Sequence, residues 1–175
     1  MLLILLGQRR TEIGGMAWSE LDIERGTWTI PAQRAKNGRV HTLPLPAAAL
    51  NLINSVPLMM NRDCLFGERS SGGFTLWAVA KAALDDRLGD RVKAWTLHDL
   101  RRTFCTRLAD LGVLPHVIEA AVNHQSGHKR GPRGIYNRSV YTHEVRAGLA
   151  MWADHVRSIT QGGGRKIVPM PQRVS

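Results

Sequence analysis

Two cysteines and two tyrosines are all that this chain of 175 residues holds of either type. Cys64 and Cys105 form no CxxC pair and no disulfide framework, so a reducing cytoplasm is the expected setting. Acidic side chains are scarce: 14 Asp and Glu face 24 Lys and Arg, a formal net charge of +10. Long apolar runs are missing too. The opening Met1-Leu2-Leu3-Ile4-Leu5-Leu6 has no basic residue before it. It is too short for a signal segment or a membrane span, and reads as the buried face of a helix. No membrane partner is expected.

What is present fits one well-packed domain. Apolar residues make up 43% of the chain, enough for a core. An excess of ten positive charges raises the surface potential and attracts polyanions, nucleic acid first among them.

The first helix is already under way at Met1 without a cap and is expected to run to Gly14-Gly15. Such a start reads as a domain whose own first helices lie upstream or are missing. Trp18 to Ile23, Thr27 to Pro31 and Val40 to Leu43 are short β-type runs, predicting a three-stranded antiparallel sheet. Asn37-Gly38 predicts a tight hairpin between the last two. Pro46 to Met59 reads as a helix begun by its proline, with Leu50, Leu52, Ile53 and Val56 on one face. Asn61 to Phe74 is loop-like, and Leu76 to Leu88 is helical with Val79, Ala82, Ala83 and Leu84 as its apolar side.

Thr96 with Asp99 forms a capping-box pattern ahead of Leu97, Leu100, Phe104, Leu108 and Leu111, and Gly112 ends the run. Pro115 opens a helix to about Asn123, and a last helix spans about Val140 to Ile159. Trp28, Trp77, Trp95 and Phe104 are expected in the core, and His116 on the surface. The fold class is α+β, mainly helical with a small sheet. Residues 1–160 form one domain and 161–175, with three consecutive glycines and two prolines, a flexible tail.

Four segments stand out: Gly7-Gln8-Arg9-Arg10-Thr11-Glu12; Lys36 at the hairpin tip; Thr96-Leu97-His98-Asp99-Leu100-Arg101-Arg102-Thr103; and Asn123-His124 through Ile135-Tyr136-Asn137-Arg138. His98 and Arg101 are three apart and share a helix face. A guanidinium offers a planar fork for phosphate oxygens. His124 and His128 have metal-ligand spacing, but Gly127 intervenes and no Cys or acidic partner follows. No metal or cofactor is expected.

In this order the segments resemble the tyrosine site-specific recombinases, the phage integrase family and its genomic-island and prophage branch. The matching pattern is Gly7-x-Arg9-x-x-Glu12, Lys36, His98-x-x-Arg101, His124 and Tyr136. The phrase from Trp95 to Thr103 is especially close, and the likeness runs from Leu2 to about Trp152. It implies a DNA breaking–rejoining catalytic fold, with Arg9, Lys36, His98, Arg101, His124 and Tyr136 as catalytic residues and Glu12 supporting. Two arginine forks would clamp the phosphate, and the phenol of Tyr136 would attack it. A phenol ordinarily titrates at about 10, so the attack needs a base or a strong positive field. Lys36 would protonate the leaving 5′ oxygen and the imidazoles would assist. Arg10, Arg34, Arg39, Arg102, Lys129 and Arg130 are read as DNA contacts.

Tyr141 competes with Tyr136 as the nucleophile. The Gly- and Lys/Arg-rich stretch before Tyr136 leaves open whether the tyrosine serves its own site or a neighbour's. The implied partner is double-stranded DNA with att-type sites, held by a tetramer on DNA that is a monomer or weak oligomer when free. The implied location is the bacterial or phage-infected cytoplasm, at the nucleoid. Other readings are a type IB topoisomerase-like enzyme, a catalytically weak or inactive truncated chain lacking an N-terminal DNA-binding domain, and a helix-turn-helix module over residues 97–123.

Overall fold

The computed structural model describes residues 1–67, 72–124 and 141–162. Helix α1 (Leu2–Leu6) buries Leu2, Leu5 and Leu6, and it stops at Gly7. The single helix expected to Gly14-Gly15 is therefore two. Gly7 takes a left-handed φ of 61°, and a Cβ there would stand 2.4 Å from the Phe104 ring, so the break is set by a residue of a distant helix. Helix α2 (Arg10–Gly14) restarts with Arg9 as its N-cap.

A 3₁₀ turn occupies Trp18–Glu20. The sheet order is β1 (Leu21–Asp22), β2 (Thr27–Ile30) and β3 (His41–Pro44), antiparallel throughout. Its register pairs Trp28 with Leu43 and Ile30 with His41. The first strand is shorter than expected because the 3₁₀ turn takes the start of its run.

The connection between β2 and β3 differs from a two-residue hairpin. Arg34 and Ala35 N–H donate to the Pro31 carbonyl, and Gly38 N–H to Ala35 at 2.9 Å. Lys36 and Asn37 thus sit at the centre of the last turn, and Gly38 alone supplies its positive φ.

Helix α3 (Ala47–Asn54) is capped by Pro46 and ends before Pro57, which disfavours helical backbone at the residue preceding it. Helix α4 (Trp77–Leu88) buries no residue. The apolar side expected there is not covered by the described residues: Val79 is 64% exposed. Helix α5 (Leu97–Asp110) carries the expected cap, the Asp99 carboxylate accepting from the N–H and the hydroxyl of Thr96, both at 2.8 Å. Helix α6 (Pro115–Ala121) has its proline in the first turn. Helix α7 (Thr142–Thr160) buries Val145, Leu149, Trp152 and Val156.

One core joins α1, β2, β3, α3, α5, α6 and α7. Trp152 is its joint: its ring meets Phe104 edge-on at 5.7 Å, and its Nε1 donates to the Ile4 carbonyl at 2.8 Å. Trp28 and Phe104 are fully buried, whereas Trp77 and Trp95 are half-buried at the edge of α4. Among the described residues no helix is long and apolar enough to cross a membrane.

Candidate active site

The site is built around the last turn of α6, whose carbonyls have no partner within the helix. Four side chains from elsewhere supply donors to this turn. Arg101 on α5 donates through Nη2 to Val122 O at 2.6 Å. Its Nη1 donates to Gly7 O at 2.8 Å, on the segment between α1 and α2. Gln8 Nε2 donates to Ala121 O at 2.8 Å and to Leu6 O at 2.9 Å. His41 Nε2 lies 3.2 Å from the same Ala121 oxygen. Asn37 Nδ2 bonds Asn123 Oδ1 at 2.8 Å and Asn123 O at 3.2 Å. Three of the four donors stand beside, or are, residues singled out in the sequence: Gln8 beside Arg9, Asn37 beside Lys36, and Arg101 itself; His41 is not among them, and the accepting Asn123 lies beside His124.

Arg9 completes the positive end. Its Nη1 pairs with Glu12 Oε1 at 3.0 Å, and its own N–H donates to Glu12 Oε2 at 3.0 Å. Glu12 is 2% exposed, so the carboxylate anchors the arginine from within. Arg101 is 7% exposed; burial, and then the charge of Arg9, lower its pKa from the ordinary arginine value. Two of its five N–H groups are spent on carbonyls, leaving three for a ligand. His41 is held neutral chiefly by burial, against its Ala121 bond and Glu12, with Arg101 and Arg9 lowering its pKa further. The electrostatics place Arg9, Glu12, Arg101 and His41 in one neighbourhood.

The other expected site residues divide into three groups. Lys36 is exposed on its turn, between buried Ala35 and bonded Asn37. His98, on the first turn of α5, and His124, just past α6, are both exposed. Arg10, Arg39 and Arg102 are exposed, and Arg102 pairs with Asp99 at 3.4 Å rather than following Arg101 inward.

Arg34 departs from its expected role as a phosphate contact. Its Nε and Nη2 fork onto Glu20 at 2.6 and 2.5 Å, and Nη1 reaches Glu12 O at 3.3 Å. Glu20 also accepts from Trp28 Nε1 at 2.9 Å. The guanidinium is a brace between the sheet and α2, because a carboxylate already fills the fork. Tyr136, Lys129 and Arg130 lie outside the described residues. Tyr141 is the N-cap of α7, with its ring 4.8 Å from that of His116.

Gln8 and His41 were not legible as site residues. Gln8 sits inside the Gly7-x-Arg9 phrase as an unspecified position. His41 carried a usable signal, since it shares strand parity with inward-facing Leu43. Among the described residues no cluster of His, Cys, Asp and Glu has the make-up of a metal site.

The Phage integrase family model matches residues 1–143. The chain belongs to the phage integrase family. The prophage integrase IntA of Escherichia coli (strain K12) is 34% identical over 155 residues, 88% of this chain and 37% of that protein. Prophage integrase IntZ of the same strain is 31% identical over 171 residues, 96% of this chain and 41% of that protein. The chain thus spans about two-fifths of the length of these curated relatives.

Among solved structures, the integrase from mycobacterium phage Brujita superposes with a TM-score of 0.65 at 22% identity, covering 99% of this chain and 52% of that one. The Tn1549 transposon integrase in complex with a circular intermediate DNA gives a TM-score of 0.54 at 21% identity, covering 71% and 49%. Both share the fold of this integrase-family chain. The mainly helical architecture with a three-stranded antiparallel sheet is the one expected from the helical and β-type runs of the sequence.

Proposed function

We propose that this chain carries the catalytic domain of a site-specific DNA recombinase that cuts and rejoins DNA through a 3′-phosphotyrosyl bond. The observation that carries the reading is two arginines in one neighbourhood, Arg9 ion-paired to buried Glu12 and Arg101 held by the Gly7 and Val122 carbonyls. Burial, and then the like charge of Arg9, lower the pKa of Arg101, while Glu12 ion-pairs with Arg9 and offsets one charge of the two. The surplus positive charge, with N–H groups still unspent on Arg101, suits an oxyanion seated between the forks.

The chemistry follows from the residue types. The phenol oxygen of Tyr136 bonds to phosphorus as the bond to the leaving 5′ oxygen breaks. Arg9 and Arg101 hold the non-bridging oxygens as charge collects on them; losing one such donor typically costs about 2.7–4 kcal/mol of barrier. Lys36 gives a proton to the leaving oxygen, and His98 and His124 handle the phenol's proton and steady the phosphate. The free 5′-hydroxyl of another DNA end can then attack the phosphotyrosine, so rejoining needs no nucleotide cofactor. A tetramer on double-stranded DNA is the assembly that exchanges strands, and membership of the integrase family supports this over a topoisomerase. The helix-turn-helix reading of residues 97–123 leaves Arg9, Lys36, His124 and Tyr136 without a role.

The test uses a pool of labelled nicked duplexes with randomised flanks, denatured after incubation and resolved by electrophoresis. A protein–DNA adduct is expected from the unaltered chain and from Tyr141→Phe, and none from Tyr136→Phe. A mobility shift under native conditions with no adduct would replace the enzyme with a binding module.

A further inference from the structure

Lys36 is the one expected catalytic group carried by a loop between strands, and a flexible four-carbon stem on a loosely held loop is a poor way to aim a proton. The far side of its turn has little packing to hold it: a Cβ added at Gly38, where φ is 67°, would meet nothing within 4 Å. Polar contacts take over that task. Asn37 and Asn123, 86 residues apart, exchange amides: Asn37 Nδ2 donates to Asn123 Oδ1 at 2.8 Å, and Asn123 Nδ2 returns to Asn37 Oδ1 at 3.2 Å. Asn37 Nδ2 also donates to Asn123 O, and Asn37 Oδ1 accepts the N–H of Arg39 at 3.2 Å. The clasp has a preset shape on its far side, because Asn123 takes a left-handed φ of 51° as the chain leaves α6. The residues next along are Lys36 on one side and His124 on the other.

We infer that Asn37 and Asn123 are positioning residues for proton delivery by Lys36, an amide clasp that registers the lysine turn on the same α6 end that holds Arg101. The inference rests on the recombinase reading above and on Lys36 as its acid. The clasp touches neither phosphate nor leaving group. It acts by limiting where the ammonium can stand, and it couples that position to His124 and, through Val122 O, to Arg101. An ordinary turn asparagine would steady the loop without favouring one chemical step. Replacing the leaving oxygen separates the two roles. In a 5′-bridging phosphorothiolate the P–S bond breaks with its electrons on sulfur, and a thiolate leaves without needing a proton.

The experiment compares adduct formation on nicked duplexes with randomised flanks around either the all-oxygen linkage or the 5′-bridging phosphorothiolate. Asn37→Ala should slow the oxygen substrate by roughly tenfold or more, since general-acid help is worth about 10²–10⁴ and small misplacements forfeit much of it. Asn123→Gly keeps the left-handed backbone and the accepting carbonyl while deleting the amide, so it should slow the same substrate less. Both should react with the sulfur substrate within about twofold of the unaltered chain, as should Lys36→Ala. The double variant should be no slower than Asn37→Ala.

Reaction with the sulfur substrate also reports that a variant is folded, and Asn123→Gly carries the test should Asn37→Ala not fold. Equal slowing on both linkages, with Lys36→Ala rescued, would overturn the clasp's role and leave the recombinase intact. No adduct from the unaltered chain on either linkage would overturn the reading beneath it. Failure of the sulfur substrate to rescue Lys36→Ala would remove the lysine as acid, and the clasp's function with it.

Discussion

The guanidinium of Arg101 donates to the carbonyl of Gly7, 94 residues earlier in the chain, at 2.8 Å. That bond joins the helix carrying His98 to the segment carrying Arg9, and it exists only because α1 stops at Gly7. Had α1 continued, the Gly7 carbonyl would have been drawn into helical bonding and the Arg101 fork would have lost one of its two supports.

Gly7→Ala therefore strikes fold and site together. The left-handed backbone costs an alanine about 1–2 kcal/mol. The new methyl also enters the Phe104 ring, and overpacking of this kind typically costs about 1–3 kcal/mol. A loss on the order of 2–5 kcal/mol is expected in urea unfolding. A loss below 1 kcal/mol would mean that the break between α1 and α2 is not held by this glycine.

Glu12→Gln keeps the shape of the buried anchor and removes its charge. A hydrogen bond to a charged partner is worth about 1.5–3 kcal/mol, so adduct formation at saturating DNA should fall by roughly tenfold or more. If DNA affinity is spread over many phosphate contacts, as the recombinase reading implies, it should change little. An equal fall in affinity would instead make Glu12 a general stabiliser of the fold.

His41 predicts a pH effect on stability. Its folded pKa lies below the ordinary 6.5, with burial the largest cause. Above 6.5 both folded and unfolded chains are neutral at this residue. As pH falls through 6.5 the unfolded chain takes up a proton that the folded chain resists, so stability declines until the lower folded pKa is reached, by at most about 1.4 kcal/mol per pH unit. His41→Gln, which can still donate to Ala121 O, should flatten the slope of the unfolding midpoint between pH 7.5 and 5.5. An unchanged slope would assign the effect elsewhere.

Arg10, exposed beside the anchored Arg9, separates binding from chemistry. Arg10→Gln should reduce the salt dependence of DNA binding by about one unit in the log–log slope, with adduct formation at saturation retained. Loss of the adduct at saturation would move Arg10 into the site itself.

Much of this was legible in the chain, and the reasons differ by element. The Thr96–Asp99 cap and the Pro115 start follow local rules, so residues three apart sufficed to foretell them. The sheet followed from alternation, but its first strand was overrun by a 3₁₀ turn whose apolar pattern imitates a strand. The break at Gly7 and the bracing role of Arg34 depend on Phe104 and Glu20, partners that sequence spacing does not bring together. The hairpin was expected to turn on Asn37-Gly38. Instead Asn37 reaches across to Asn123, a tertiary contact that overrides the local preference of the dipeptide.

Recombination by this chain requires that one of its tyrosines become covalently joined to a DNA 3′-phosphate. Trimming the adduct with nuclease and mapping the nucleotide-bearing peptide by mass spectrometry tests it most directly. The nucleotide is expected on Tyr136. A nucleotide on Tyr141, or on no tyrosine, would contradict that expectation.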